Sequence, residues 1–135
     1  MKLYLDTVAT IFLVEKVSPF YEIILEKISH TQAKIVVSEM NRLECRVKPL
    51  KTKDLALLKD FDDFFESEPY KIVPISRKVI DKATTLRATY SFKTPDSIHL
   101  AAAIFSRCKT FLTHDTELKR CAEIQVELIS DLMQT

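Results

Sequence analysis

The sequence predicts an α/β fold, a parallel sheet covered on both faces by helices. Short apolar runs rich in β-branched residues recur along the chain. Segments with apolar residues at helical spacing separate them. Helix-start signals, a Ser or Thr that twice precedes a proline, stand at the junctions. Strands that alternate with helices build parallel sheets, because each parallel connection needs a crossover long enough to hold a helix.

Each element follows from its own residues. Leu3–Leu5 is a short apolar strand that ends at Asp6, and Thr10–Val17 reads as helix. Ser18 and Pro19 predict a helix with Ser as the cap and Pro at its first position. Phe20, Ile23, Ile24 and Ile28 then recur at helical spacing. Ala33–Val37 is a buried-type strand, and Ser38 caps a helix predicted to run to about Val47 and end at Pro49. Thr52 is expected to cap a longer helix whose stripe is Leu55, Leu58, Phe61 and Phe65. Lys71–Ile75 forms a third strand interrupted by Pro74. Ser76 opens a helix through Val79, Ile80, Ala83 and Leu86. Thr94 and Pro95 open another, with Ile98, Ala101, Ala102 and Phe105 predicted inward. Thr110–Thr113 and Val126–Ile129 are the last two strands, with a short helix at Thr116–Cys121 between them.

Composition narrows the function. The 135 residues suit one domain over 1–135, with no linker, repeat or low-complexity stretch. With 20 basic against 19 acidic residues, the net charge of +1 argues against nucleic-acid binding by bulk positive charge. Glycine is absent altogether. That removes the glycine-rich dinucleotide turn, the triphosphate-cradling loop and the serine nucleophile elbow. Phosphate chemistry in this chain must rest on side chains and metal ions. The three cysteines, Cys45, Cys108 and Cys121, have neither zinc spacing nor an even count, so a reduced, cytoplasmic compartment is expected. Asp6 and Glu15 interrupt the apolar N-terminal stretch, which therefore does not read as a signal peptide. No apolar run approaches the ~20 residues that span a bilayer, so no membrane is expected.

Ligands of open parallel sheets bind beyond the carboxyl ends of the strands. Asp6 closes the first strand, and Asp115 lies just past the fourth. Asp96 sits in the first turn of the helix opened by Thr94, and Glu44 lies on the helix after the second strand. Singly, each has an ordinary role: Asp6 and Asp115 as caps, Asp96 on the helix dipole, Glu44 in solvent. Together at one edge they repel, and a cation relieves that repulsion. Hard oxygen donors select Mg²⁺ or Mn²⁺ over Zn²⁺. Glu39 is five residues before Glu44 and so about 140° away around the helix. Only one of the two faces the site, and the flanking Leu43 and Val47 favour Glu44. The Asp-x-Asp of haloacid-dehalogenase phosphatases is missing, since Asp6 is followed by Thr7 and Val8. The paired acids and late Lys of receiver domains are missing as well.

The motifs resemble those of PIN domains, and within them the VapC-type toxin ribonucleases, over nearly the whole chain. Leu3-Tyr4-Leu5-Asp6-Thr7 resembles the first motif, and Val36-Val37-Ser38 with Leu43-Glu44 the second. The most specific stretch is Thr94-Pro95-Asp96-Ser97-Ile98-His99-Leu100-Ala101-Ala102-Ala103, followed by Phe111-Leu112-Thr113-His114-Asp115. The resemblance implies a three-layer α/β/α sandwich and a Mg²⁺- or Mn²⁺-dependent endoribonuclease that leaves a 5′-phosphate and a 3′-hydroxyl. It makes Asp6, Glu44, Asp96 and Asp115 the ligands of one or two ions. Thr113 becomes the hydroxyl residue of the last motif, and Glu117 a weaker candidate acid. It also implies an antitoxin partner, and a homodimer is expected. Accessible phosphates point to single-stranded or loop RNA as substrate. Val8 departs from the pattern, since it stands where Asn or Ser is usual. A non-catalytic RNA- or protein-binding module is the alternative, and a structural subunit with incidental acids is a third reading.

Other residues carry weaker signals. His99, one turn after Asp96, reads as a histidine tucked against the sheet, with proton shuttling as the functional alternative. His114 is as consistent with plain exposure as with a phosphate contact, and His30 has no evident partner. Arg42, Arg46, Lys48, Lys51 and Lys53, with Arg87 and Lys93, either line an RNA groove or form ordinary solvated surface. Asp60, Asp62, Asp63, Glu66 and Glu68 interleave with Phe61, Phe64 and Phe65, and one of the three aromatics is expected exposed as a partner surface over this helix pair.

Overall fold

The computed structural model describes residues 1–67 and 70–133. The elements in chain order are β1 (Lys2–Leu5), α1 (Thr7–Val14), α2 (Phe20–Thr31), β2 (Lys34–Ser38), α3 (Glu39–Thr52) and α4 (Leu55–Glu66). They continue as β3 (Lys71–Val73), α5 (Arg77–Tyr90), α6 (Thr94–Phe105), β4 (Thr110–Thr113), a 3₁₀ turn (Thr116–Arg120), β5 (Gln125–Leu128) and α7 (Ile129–Leu132). The five strands form one sheet in the order β3-β2-β1-β4-β5, and every pairing is parallel.

Side-chain alternation divides the core between the two faces. Tyr4, Val36 and Phe111 are buried on one face with Leu86 of α5 and Leu100 of α6. Leu3, Leu5, Ile35, Val37 and Leu112 are buried on the other with Ala9, Ile24, Cys45, Phe61 and Ile129. The result is the three-layer α/β/α sandwich. Sheet winding runs outward from β1 through β2 to β3, then returns to place β4 on the other side of β1. The strand order therefore reverses between β1 and β4, and their carboxyl ends flank the crevice that such reversals create. Among the described residues, no helix is long and apolar enough to cross a membrane.

Several boundaries differ from expectation. The first helix starts earlier, at Thr7, because Asp6 caps it by accepting from the Ala9 N–H. Ser18 is not a cap: the Ser18–Pro19 bond is cis, Pro19 takes the cap position, and the Ser18 hydroxyl donates to Glu22 at 2.5 Å. Pro49 does not end α3, which continues to Thr52. In a last turn, a proline forfeits one intrahelical bond and leaves the rest of the helix paired. Thr52 accordingly belongs to α3, and Asp54 caps α4 by accepting from the Leu57 N–H. The third strand stops at Val73, before Pro74, and the last strand ends at Leu128, where a short helix takes over.

Three apolar residues of the expected helix patterns, among them Phe105, predicted inward, face solvent. Leu55 is 75% exposed in the first turn of α4, and Ile80 and Phe105 are exposed on α5 and at the end of α6. The expected exposed phenylalanine does not exist either. Phe61 and Phe65 are buried, and Phe64 packs half-buried against Tyr70 at a ring separation of 4.3 Å. Of the acidic run around them, Glu68 lies outside the described residues.

Candidate active site

Asp6 follows the last residue of β1, so its side chain stands at the crevice. It is buried, and both oxygens are engaged: Oδ1 accepts from the Ala9 N–H at 2.9 Å and Oδ2 from the Thr113 hydroxyl at 2.5 Å. Thr113, the last residue of β4, also accepts from the Asp115 N–H at 3.1 Å. One buried hydroxyl thus ties the end of β1 to the turn after β4. Asp115 caps the 3₁₀ turn through the Glu117 N–H. The capping roles of Asp6 and Asp115 are therefore real, and they hold the carboxylates at this edge.

Glu44 is not a solvated helix residue. Its Oε1 accepts from the Thr7 hydroxyl at 2.6 Å and lies 2.6 Å from His99 Nε2. Leu43 and Val47, expected to mark the inward side of α3, are exposed. Asn41 and Cys45 mark the inward face of α3 instead, and Glu39 is exposed. His99 is buried, as the structural reading expects, yet it reaches the site through Glu44. Its Nδ1 lies 2.8 Å from the Tyr4 hydroxyl.

The carboxyls sense one another. Burial raises the Asp6 carboxyl above the ordinary range, against the Thr113 and Ala9 hydrogen bonds, and the charge of Asp96 adds to the rise. Asp96 is raised by burial and then by the charge of Asp115, with Glu44 contributing. Burial also pushes Glu44 upward, but the hydrogen bonds from His99 and Thr7 outweigh it and bring the group below the usual value. Asp96, Asp115 and the exposed Glu117 line a cleft of about 270 Å³ with Lys93 and Arg120. Glu117 is paired with Arg120 at 3.3 Å.

These donors fit a hard divalent cation in kind. They are carboxylate oxygens, and two of them are held above their ordinary range by burial and crowded negative charge. Among the described residues, no three His, Cys, Asp or Glu side chains gather into a preformed metal-holding group.

The family model described as PIN domain matches residues 3–124. The chain belongs to the PIN domain family. No curated protein sequence matches it. This PIN domain resembles a chain in the crystal structure of VapBC2 from Rickettsia felis bound to a DNA fragment from their promoter. The TM-score is 0.77 and the identity 21%, over 95% of this chain and 98% of that one. It also resembles a chain of DNA-bound VapBC from Salmonella typhimurium, with TM-score 0.73 and 20% identity over 96% and 98% of the two chains. A chain of a toxin–antitoxin complex from Klebsiella pneumoniae gives TM-score 0.66 and 21% identity over 92% and 95%. At these identities the likeness is one of fold.

The remaining candidates are less committed to the site. His114 is exposed beside Asp115, its ring edge-on to Phe12 and Phe20, and His30 is exposed on α2. Arg46 is paired with Asp62 at 2.9 Å, and Arg87 donates to the Phe92 carbonyl and the Thr94 hydroxyl. Lys48, Lys51, Lys53 and Lys93 remain exposed. Three residues of the site region escaped sequence reasoning, Tyr4, Thr7 and Asn41. Asn41 is fully buried, and its Oδ1 accepts from the Ser38 N–H at 2.7 Å to complete a capping box. Its place three residues after the cap Ser38 was the available signal.

Proposed function

We propose that this PIN domain, as a single domain over 1–135, is a divalent-metal-dependent endoribonuclease and the toxin of a toxin–antitoxin pair. One observation carries the reading. Asp6 and Asp96 are held above the ordinary carboxylate range at the point where strand order reverses, with Asp115 and Glu44 close enough to act on Asp96. Asp6, Glu44, Asp96 and Asp115 would hold one or two Mg²⁺ or Mn²⁺ ions. A bound ion supplies a water of lowered pKa and offsets charge on phosphoryl oxygens. Thr113 holds Asp6 in place, Thr7 and His99 hold Glu44, and Glu117 stands at the outer rim. Lys93 beside the cleft offers a phosphate contact for a single-stranded or looped RNA.

The partner reading has its own surfaces. A cleft of about 500 Å³ between α1, α2 and α4 carries Leu13, Val14, Leu25 and Phe64, with Asp60 and Asp63 at its rim. An antitoxin segment with aliphatic and basic side chains suits it. The exposed stripe of Leu43, Val47 and Leu50 on α3, continued by Leu55, suits a second copy. A reducing, cytoplasmic compartment is part of the same reading, in keeping with three buried free thiols.

The test is incubation of purified protein with total cellular RNA and Mn²⁺, beside Asp96→Asn and an EDTA control, with the new 5′ ends mapped. Cuts that vanish in the variant and with EDTA are expected; cuts that persist in Asp96→Asn refute the assignment. A second reading is a module that binds RNA or protein without turnover. It is favoured by the lack of a preformed three-donor group among the described residues and by the exposed Val8 on the first turn of α1. Calorimetric Mn²⁺ binding without cleavage of any RNA supports that module. No divalent binding at all supports the structural subunit.

A further inference from the structure

Glu44 reaches the site from α3, yet two of its neighbours hold only one of its oxygens. Thr7 donates to Oε1, and His99 Nε2 lies on the same atom. Among the described residues, no hydrogen bond falls on Oε2. The proton on His99 can be assigned from the surroundings. A carboxylate oxygen only accepts, so Nε2 carries the hydrogen that faces Glu44. In the neutral ring, Nδ1 must then accept, and its partner is the Tyr4 hydroxyl at 2.8 Å.

The buried side of Tyr4 completes the accounting. Its hydroxyl also lies 2.8 Å from Ser38 Oγ and 3.0 Å from Asn41 Oδ1. Asn41 Oδ1 is fixed as the oxygen because it accepts from the Ser38 N–H, while Nδ2 donates to the Leu5 carbonyl at 2.8 Å. The Ser38 hydroxyl can turn to donate to the Tyr4 oxygen at 2.8 Å, which leaves the Tyr4 proton for His99. Tyr4, Ser38 and Asn41 are fully shielded, so no water competes for these roles.

We propose that Tyr4 and His99 are positioning residues for Glu44. The phenol fixes the Nε2–H tautomer of His99, His99 and Thr7 hold Oε1, and Oε2 is left to face a cation. This inference rests on the metal-dependent reading above. It extends that reading from the carboxylates to a buried chain that starts on β1 and crosses α6 to reach α3. Partners that orient a ligating group typically change metal affinity 10- to 100-fold when removed.

Two measurements test it. The first is the ¹⁵N pattern of the His99 imidazole in the metal-free wild type, where the Nε2–H tautomer is expected. An Nδ1–H tautomer overturns the inference without any variant. The second is the Mn²⁺ dissociation constant by calorimetry for wild type, Glu44→Ala, His99→Leu, His99→Gln and Tyr4→Phe, each first shown folded by its circular dichroism. His99→Leu is expected to weaken Mn²⁺ binding by about 10- to 100-fold. His99→Gln, which keeps a donor near Nε2, recovers most of it. Tyr4→Phe weakens binding and mixes the His99 tautomers. Wild-type affinity in both His99→Leu and Tyr4→Phe, with binding reduced in Glu44→Ala, overturns the inference alone. A wild type that binds no Mn²⁺ overturns the nuclease reading and the inference with it.

Discussion

Thr113 donates its hydroxyl hydrogen to Asp6 Oδ2 at 2.5 Å, although 107 positions separate the two residues in the chain. The bond exists because β1 and β4 are parallel neighbours whose carboxyl ends coincide. The same Thr113 oxygen accepts the Asp115 N–H, so a single buried hydroxyl sets the spacing of two candidate ligands.

Thr113→Val keeps the shape and removes both bonds. It leaves the Asp6 carboxylate and the Asp115 N–H each short of a partner. A loss of about 2–3 kcal/mol is expected, the cost of a buried hydrogen bond to a charged group. Thr113→Ser restores most of it. Urea denaturation of the two variants checks the size and the rescue.

The Asp6 carboxyl gives stability a pH dependence. Burial holds its folded value above its unfolded one, so the folded state favours the protonated form. Its contribution is fully present below the unfolded value near pH ~4 and is lost as pH rises through the raised folded value. Asp6→Asn cannot ionise and still caps α1. The metal-free variant is therefore expected to melt a few degrees above wild type at pH 7, with the gap closing toward pH 4. On the proposed metal-dependent reading, excess Mn²⁺ should reverse the order at pH 7, because wild type keeps all four carboxylates and gains more from the ion. Thermal melts with chelator and with Mn²⁺ check both halves.

Asn41 spends its side-chain amide on three groups: the Ser38 N–H, the Leu5 carbonyl and the Thr10 hydroxyl. It thereby joins β1, β2, α1 and α3 beneath the site. Asn41→Ala removes these bonds where water does not reach. A loss of about 3 kcal/mol is expected, at the upper end of ordinary substitutions. A shift in the urea midpoint without a change in slope checks it.

Val47 lies mid-stripe on α3, between Leu43 and Leu50, and is 53% exposed. Val47→Asp touches no buried contact and should change monomer stability by less than about 0.5 kcal/mol. If α3 carries the second copy, the same change lowers the solution mass to that of one chain. Light scattering behind a sizing column reads the mass directly, and an unchanged dimer removes α3 from that role.

Much of the architecture is written locally. Leu3–Leu5 and Thr110–Thr113 read as strands because each is a short apolar run closed by a polar residue. Ser38 and Ser76 read as caps because a hydroxyl can accept the first free N–H groups of a helix. Where local signals compete, the reading fails. Ser18 looks like a cap, but its hydroxyl is spent on Glu22. Pro49 looks like a stop, but a late proline costs α3 one bond only. Leu43 and Val47 look like an inward face, but Asn41 and Cys45 occupy it. A polar side chain with buried partners is as good a core residue as an apolar one.

The sequence by itself determined the alternation of strands and helices, the acids at element ends, and through its motifs the family. Those properties depend on neighbours a few positions apart, where capping, periodicity and side-chain chemistry act. Only the tertiary structure decided that Thr113 holds Asp6, and that Glu44 is bound by Thr7 and His99 rather than by solvent. It alone put Tyr4 and Asn41 beneath the site. Those pairings follow from strand order and register, which bring residues up to 107 positions apart within hydrogen-bond reach. No local pattern records that distance, because it is set by how the whole sheet assembles around β1.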